Sequence, residues 1–113
     1  MAYEPKEQIV FYLDTDRAEI GRVNLKDNEK STLFENLENP GTVLTFDPAS
    51  QSVFWVEGRG ETAKLRAGRW DGGGKPITMA KSPAVNGLEK IIAYNPYNKK
   101  VYYLRDRKVR TFV

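Results

Sequence analysis

The sequence predicts an all-β chain assembled from a repeated four-stranded unit, and three observations carry that prediction. An aromatic strand motif recurs: Phe11-Tyr12-Leu13-Asp14 returns as Phe54-Trp55-Val56-Glu57 and again as Tyr102-Tyr103-Leu104-Arg105, 43 and then 48 residues further on. Other landmarks keep a similar spacing. Pro40 and Pro83 lie 43 apart, Arg22 and Arg66 lie 44 apart, as do Asp27 and Asp71, and Asp47-Pro48 returns as Asn95-Pro96. Clusters of Gly, Pro, Asn and Asp also break the chain every few residues, which leaves no window with a sustained helical period. A period in the forties built from short β segments is that of a β-propeller blade, one four-stranded sheet per repeat.

Ten strands follow in order. Ile9–Leu13 is an unbroken run of β-branched, aromatic and aliphatic residues, the composition that suits a pleated, half-buried surface. Glu19–Val23 follows, and the Lys26-Asp27-Asn28 turn separates it from Ser31–Phe34. Asn39-Pro40-Gly41 then opens Thr42–Phe46, Asp47-Pro48-Ala49-Ser50 turns the chain into Ser52–Val56, and Ala63–Ala67 leads through Asp71-Gly72-Gly73-Gly74 to Pro76–Met79. The last three are Lys90–Tyr94, Val101–Leu104 and Lys108–Phe112, with Asn95-Pro96-Tyr97-Asn98 between the first two. Each turn works through Pro at a preset φ, Gly at positive φ, or Asx side chains that bond nearby backbone. The arithmetic gives about two and a half four-stranded blades in a single all-β fragment, 1–113: a partial blade over 9–34, a full blade over 42–79 and a partial blade over 90–112. On that division the strands Ile9–Leu13 and Lys108–Phe112 lack in-blade neighbours, and Phe11 and Phe112 lack a covering blade. A compact ten-stranded sandwich or barrel also fits evenly spaced short strands, but a sandwich gives no reason for aromatic, Arg and Pro positions to recur at one period.

Composition narrows the function. The chain has 113 residues, a formal charge of +3 from 18 Lys and Arg against 15 Asp and Glu, and no long basic run. Nucleic-acid binding usually leaves a clustered basic stripe, so no nucleic-acid partner is expected. No apolar stretch reaches membrane-span length, so no membrane insertion is expected, and the N-terminus carries no signal-peptide h-region. There are no cysteines and no histidines. That excludes disulfide scaffolds, thiolate zinc sites, Cys nucleophiles and any triad that needs His.

The ordered landmarks of the middle repeat resemble the YWTD repeat of the low-density lipoprotein receptor family. The residues are Leu37-Glu38-Asn39-Pro40, Thr42-Val43-Leu44-Thr45-Phe46-Asp47-Pro48, Val53-Phe54-Trp55-Val56-Glu57, Gly60-Glu61, Lys64-Leu65-Arg66-Ala67 and Asp71-Gly72. The first repeat matches over Phe11-Tyr12-Leu13-Asp14, Ile20-Gly21-Arg22 and Leu25-Lys26-Asp27. The match is divergent. The Thr of the signature is Leu13, Val56 and Leu104, and its Asp survives only as Asp14, with Glu57 and Arg105 elsewhere. The resemblance implies that this polar pair ties neighbouring blades together, so apolar packing is expected to take over part of that task here.

Candidate chemistry is sparse. The aromatics of the repeated strand are expected in the core, because adjacent strand residues point to opposite faces and propeller sheets need bulk on both. Arg22 and Arg66, at repeat-equivalent positions, are expected to pair with carboxylates. Gly72-Gly73-Gly74-Lys75 lacks the spacing and following helix of a phosphate loop. Asp14, Asp16 and Glu19 do not form a calcium loop. No metal, no cofactor and no catalysis are expected.

What remains is binding. The resemblance implies a ligand face built from two loops per blade, the one before the first strand and the one after the signature strand. Carried over, these are Glu38 and Asn39, then Val85 and Asn86; and Thr15, Asp16 and Arg17, then Arg59 and Glu61, then Asp106. Mixed charge among small residues suits a polypeptide ligand. The expected function is protein binding within an extracellular receptor-type molecule. The alternative is a self-assembling structural module that associates with copies of itself, or with a partner chain, to complete the propeller.

Overall fold

Each sheet among the described residues is a simple antiparallel meander, every strand pairing with its neighbour in sequence. The computed structural model describes residues 2–81, 88–95, 100–105 and 108–112. Its strands are β1 (Ala2–Glu4), β2 (Ile9–Asp14), β3 (Glu19–Asn24), β4 (Glu29–Phe34), β5 (Pro40–Asp47), β6 (Ser52–Glu57), β7 (Lys64–Arg69), β8 (Ile77–Lys81), β9 (Leu88–Asn95), β10 (Lys100–Arg105) and β11 (Lys108–Phe112). They form a first sheet in the order β1-β2-β3-β4, a second in the order β5-β6-β7-β8, and a third in the order β11-β10-β9. The first strand of the second sheet, β5, lies against β1 and β2 on one side and against β9 on the other. The three sheets therefore meet along their first strands and stack face to face.

All ten expected strands are present, and an eleventh precedes them. Ala2, Tyr3 and Glu4 pair with Phe11, Val10 and Ile9, so the first sheet has four strands where the sequence reading begins it at Ile9. This corrects the expectation of an unpaired Ile9–Leu13 edge. Phe11 is not left bare either: it is fully buried and its ring stacks on Phe46 of the second sheet at 4.9 Å. The Phe112 side chain lies outside the described part.

The hairpins share one design. Connections 5–8, 15–18, 25–28 and 48–51 each hold four residues, and each ends on a residue in the left-handed region: Gln8 (φ 56°), Ala18 (53°), Asn28 (58°) and Gln51 (53°). The residue before each turn carries an acceptor that bonds the turn's own backbone. Glu4 accepts from the Lys6 and Glu7 amides, Asp14 from Asp16 and Arg17, Asn24 from Lys26, and Asp47 from the Ser50 amide and hydroxyl. Three left-handed residues then accept from an amide further along, Gln8 from Leu25, Ala18 from Leu37 and Gln51 from Trp70. Those bonds hold φ where a non-glycine residue is otherwise disfavoured.

The core lies between the first two sheets. Ile9, Phe11, Ile20 and Phe34 from the first meet Leu44, Val53 and Trp55 from the second, with Leu37 from the connection. Phe34 stacks on Trp55 at 5.1 Å. Its ring edge also presses onto Gly68, where an added Cβ would come within 2.3 Å of Phe34 Cζ. Phe54, Leu65 and Ala67, cross-strand neighbours in register on the opposite face of the second sheet, are buried as well. The middle sheet is thus covered on both sides, as the reading of the repeated aromatics as core expects.

Two substitutions test this packing. Trp55→Ala is expected to lower the unfolding free energy by about 3–5 kcal/mol, the usual range for a large aromatic removed from a packed core. Gly68→Val is expected to cost about 1–3 kcal/mol by forcing Phe34 out of its stack. Denaturant titration followed by tryptophan fluorescence measures both, and a Gly68→Val protein as stable as its parent would show that the two sheets do not meet at this point.

Candidate functional site

Because each sheet is a meander, successive connections alternate between its two ends. The connections 15–18, 35–39 and 58–63 therefore fall at one end, and hydrogen bonds join them there. The Leu37 amide donates to the Ala18 carbonyl at 2.9 Å, and the Gly58 amide donates to the carbonyls of Glu38 (2.8 Å) and Asn39 (3.1 Å). Gly58 needs its φ of 80° for this approach. The expected loop residues Thr15, Asp16, Arg17, Glu38, Asn39, Arg59 and Glu61 are all exposed on this rim. Val85, Asn86 and Asp106 lie outside the described residues.

The rim is ordered by main-chain bonding, while its charges stay in solvent. Arg17 Nε stands 4.0 Å from Asp14 Oδ2 with its side chain 73% exposed, so this pair adds little to stability. Glu38 Oε2 meets Lys64 Nζ at 3.1 Å, which joins the connection to β7. Arg59 and Thr62 exchange bonds around the 3₁₀ turn Gly60–Thr62, and Glu61 projects from that turn.

Beneath the rim lies a feature the sequence reading missed. Glu57 is 4% exposed and holds two donors: the Trp55 indole N–H at 2.7 Å and the Glu38 amide at 3.2 Å. A polar tie from β6 to the connection that joins the first two sheets thus stands at the position where the YWTD signature has Asp, beside the apolar packing. Beside it a cleft of about 340 Å³ opens between the sheets, walled by Leu33, Phe34, Leu37 and Pro76, with Asn36 and Arg66 at its polar side. Arg66 Nη2 donates to the Pro76 carbonyl at 3.0 Å, and its Nε is buried without a partner among the described residues.

The two arginines depart from expectation. Arg22 pairs in register with Phe11, but Arg66 pairs with Trp55, the residue after Phe54. They are one position out of step and so point from opposite faces, Arg22 from the first sheet towards the second and Arg66 back towards the first. Among the described residues neither has a carboxylate as its hydrogen-bond partner. Arg22 Nη1 donates to the Trp70 carbonyl at 3.3 Å, and its guanidinium lies 5.1 Å from the Trp70 ring centroid.

The opposite end carries Asp71. Its carboxyl is held below the usual carboxylate range, first by the Gly73 amide, against a smaller opposing effect of burial, and then by Arg69. The shift is downward, so this group's contribution to stability is present above the unfolded carboxylate range and fades as pH falls through the lowered value. In a carboxyl-carbon NMR titration Asp71 is expected to titrate below the usual carboxylate range, and Arg69→Ala is expected to move it part of the way back up.

With this geometry in place, comparison with solved structures identifies the architecture. The whole of the chain superposes on part of a much longer ring. A chain from a crystal structure of a nidogen–laminin complex matches with a TM-score of 0.77 over 98% of this protein, at 14% identity. The fold is that of a β-propeller segment. That neighbour is a YWTD propeller, in accord with the divergent resemblance read from the repeat. A TolB protein from Agrobacterium tumefaciens matches with a TM-score of 0.70 over 97% of this chain, also at 14% identity. The tricorn protease matches at 0.62 over 88%, at 16% identity. The propeller segment spans 42% of each of the first two chains and 10% of the third. No protein-family model and no curated protein sequence matches it.

Proposed function

We propose that this propeller segment is a non-catalytic protein-binding module of an extracellular receptor-type molecule, and that it takes polypeptide ligands on the rim formed by connections 15–18, 35–39 and 58–63. The observation that carries this reading is the rim itself: Arg17, Glu38, Arg59 and Glu61 are exposed, yet the three connections that carry them are tied to one another through Ala18, Leu37, Glu38 and Gly58, and the Glu38 amide to the buried Glu57 carboxylate. A rigid frame presenting charged side chains of both signs loses little entropy on binding and suits a polar peptide surface. The nidogen neighbour comes from a complex with laminin, a protein partner, which supports the reading for a propeller of this type. The absence of His and Cys from the sequence removes the side chains that most often carry nucleophilic and acid–base chemistry near neutral pH.

The test is selection of peptides from a random display library on the immobilised chain. Peptides that bind the parent are expected to lose at least about tenfold in affinity, or about 1.4 kcal/mol, for the double variant Arg17→Glu, Arg59→Glu. Thermal unfolding of that variant is expected to match the parent, since both side chains lie in solvent. Retained binding would move the ligand site elsewhere.

A further inference from the structure

We infer that two copies of this chain associate head to tail, the uncovered face of the first sheet taking the far face of the other copy's third sheet. The internal repeat supplies the template. Glu4 pairs with Ile9 and Asp47 with Ser52 across equal four-residue turns, so the β1–β2 and β5–β6 hairpins correspond residue by residue. Tyr3 stands where Phe46 does, Val10 where Val53 does, and Tyr12 where Trp55 does.

In the second sheet those three positions form the surface that packs on the first: Phe46 stacks on Phe11, Trp55 stacks on Phe34, and Val53 and Trp55 are fully buried. In the first sheet no sheet among the described residues covers the same positions. Tyr3 is 51% exposed, and Val10, Tyr12 and Val23 are only half-buried. The Tyr12 ring lies over Gly21, where an added Cβ would come within 2.2 Å of its hydroxyl, and that hydroxyl has no partner among the described residues. Lys30 Nζ lies 5.2 Å from the Tyr12 ring centroid on this face, a flexible side chain that can swing aside; the aromatic and aliphatic surface beneath it matches the covered one in pleat.

The complementary surface is also on this chain. Asn95 pairs with Lys100, with four residues of sequence again between them, so Tyr102 falls at the position of Phe11 and Phe54. Those two are the residues that each sheet turns towards the next one, and both are buried there. Tyr102 remains partly exposed. Docking Tyr102 of one copy on Tyr3 of the other reproduces the Phe11–Phe46 stack, with the same sheet-to-sheet geometry that β5 already shows towards β1 and β9. Such an interface is heterologous, and it ends when the ring closes. Three sheets from each of two copies make six, within the range of propeller rings. Nothing in this association involves the rim, so it stands or falls apart from the peptide-binding reading.

Sedimentation equilibrium of the full chain over a wide concentration range is the test, with a closed pair of twice the 12.9 kDa chain mass expected. Tyr3→Arg and Tyr102→Arg each destroy one side of the interface, and each alone is expected to be monomeric; Val10→Lys serves as a second probe of the first face, and circular dichroism confirms that the variants fold. An equimolar mixture of Tyr3→Arg and Tyr102→Arg keeps one intact face on each partner. It is therefore expected to regain a dimer held by a single interface, weaker than the parent, which a self-complementary patch would not give. A monomer at every concentration, open polymers in place of a closed pair, variants that still pair alone, or a mixture that stays monomeric would each overturn the inference.

Discussion

Trp55 is where the sheets, the connection between them and the candidate rim are joined. Its ring lies against Phe34 of the first sheet, while its indole N–H is spent on Glu57 two residues further along the same strand face. Glu57 in turn accepts the amide of Glu38, in the segment that carries the chain from the first sheet to the second. A buried carboxylate is strongly unfavourable without donors, so the Glu57 charge fixes both the indole and the main chain of the connection. Hydrophobic burial brings the sheets together, and this short polar chain decides how the loop above them is held.

The frame is legible in the sequence because turn chemistry and strand composition agree at every repeat. The strand that was missed shows the limit of that reading. Ala2-Tyr3-Glu4 is too short to display a period, and it precedes a proline; it is a strand because Phe11, Val10 and Ile9 offer it a ladder. Arg22 and Arg66 mislead for a different reason. The β6–β7 connection, residues 58–63, is two residues longer than 15–18, so the true offset changes from 43 to 45 between one strand and the next. A spacing of 44 then matches neither, and a slip of one residue sends a side chain to the other face. At the rim, the loop positions are visible from the landmarks, but Glu57, the cleft and the unpartnered Arg66 Nε depend on contacts between segments that no spacing encodes.

The turns explain how so regular a repeat manages with few glycines at its hairpins. Gln8, Ala18, Asn28 and Gln51 adopt a backbone conformation that costs an L residue roughly 1–2 kcal/mol, where glycine would be free of strain. Each turn offsets this locally, through the acceptor side chain that opens it. In three of them the left-handed residue's own carbonyl also accepts a bond from a later segment. Glycine is kept instead where space is short: under Tyr12 at Gly21, against Phe34 at Gly68, and at the sharp approach of Gly58 to Thr62.

A sheet of this kind has two apolar faces and cannot bury both alone, so its stability comes in nearest-neighbour terms, one for each face that is covered. The middle sheet has both terms, which is why Trp55 and Val53 on one of its faces and Phe54 and Leu65 on the other are all fully buried. The first sheet has only one. Its outer strand β4 is mostly in solvent, and its second face spends two tyrosines and two valines on a surface that, among the described residues, no sheet covers and over which only the Lys30 ammonium reaches, 5.2 Å from the Tyr12 ring. A sequence shaped only by solubility would place polar residues there, as β4 does at Glu29, Lys30, Ser31 and Thr32. That Tyr3, Val10, Tyr12 and Val23 stay apolar, in register with a face that is buried one repeat later, is the physical argument that this surface is built for another sheet.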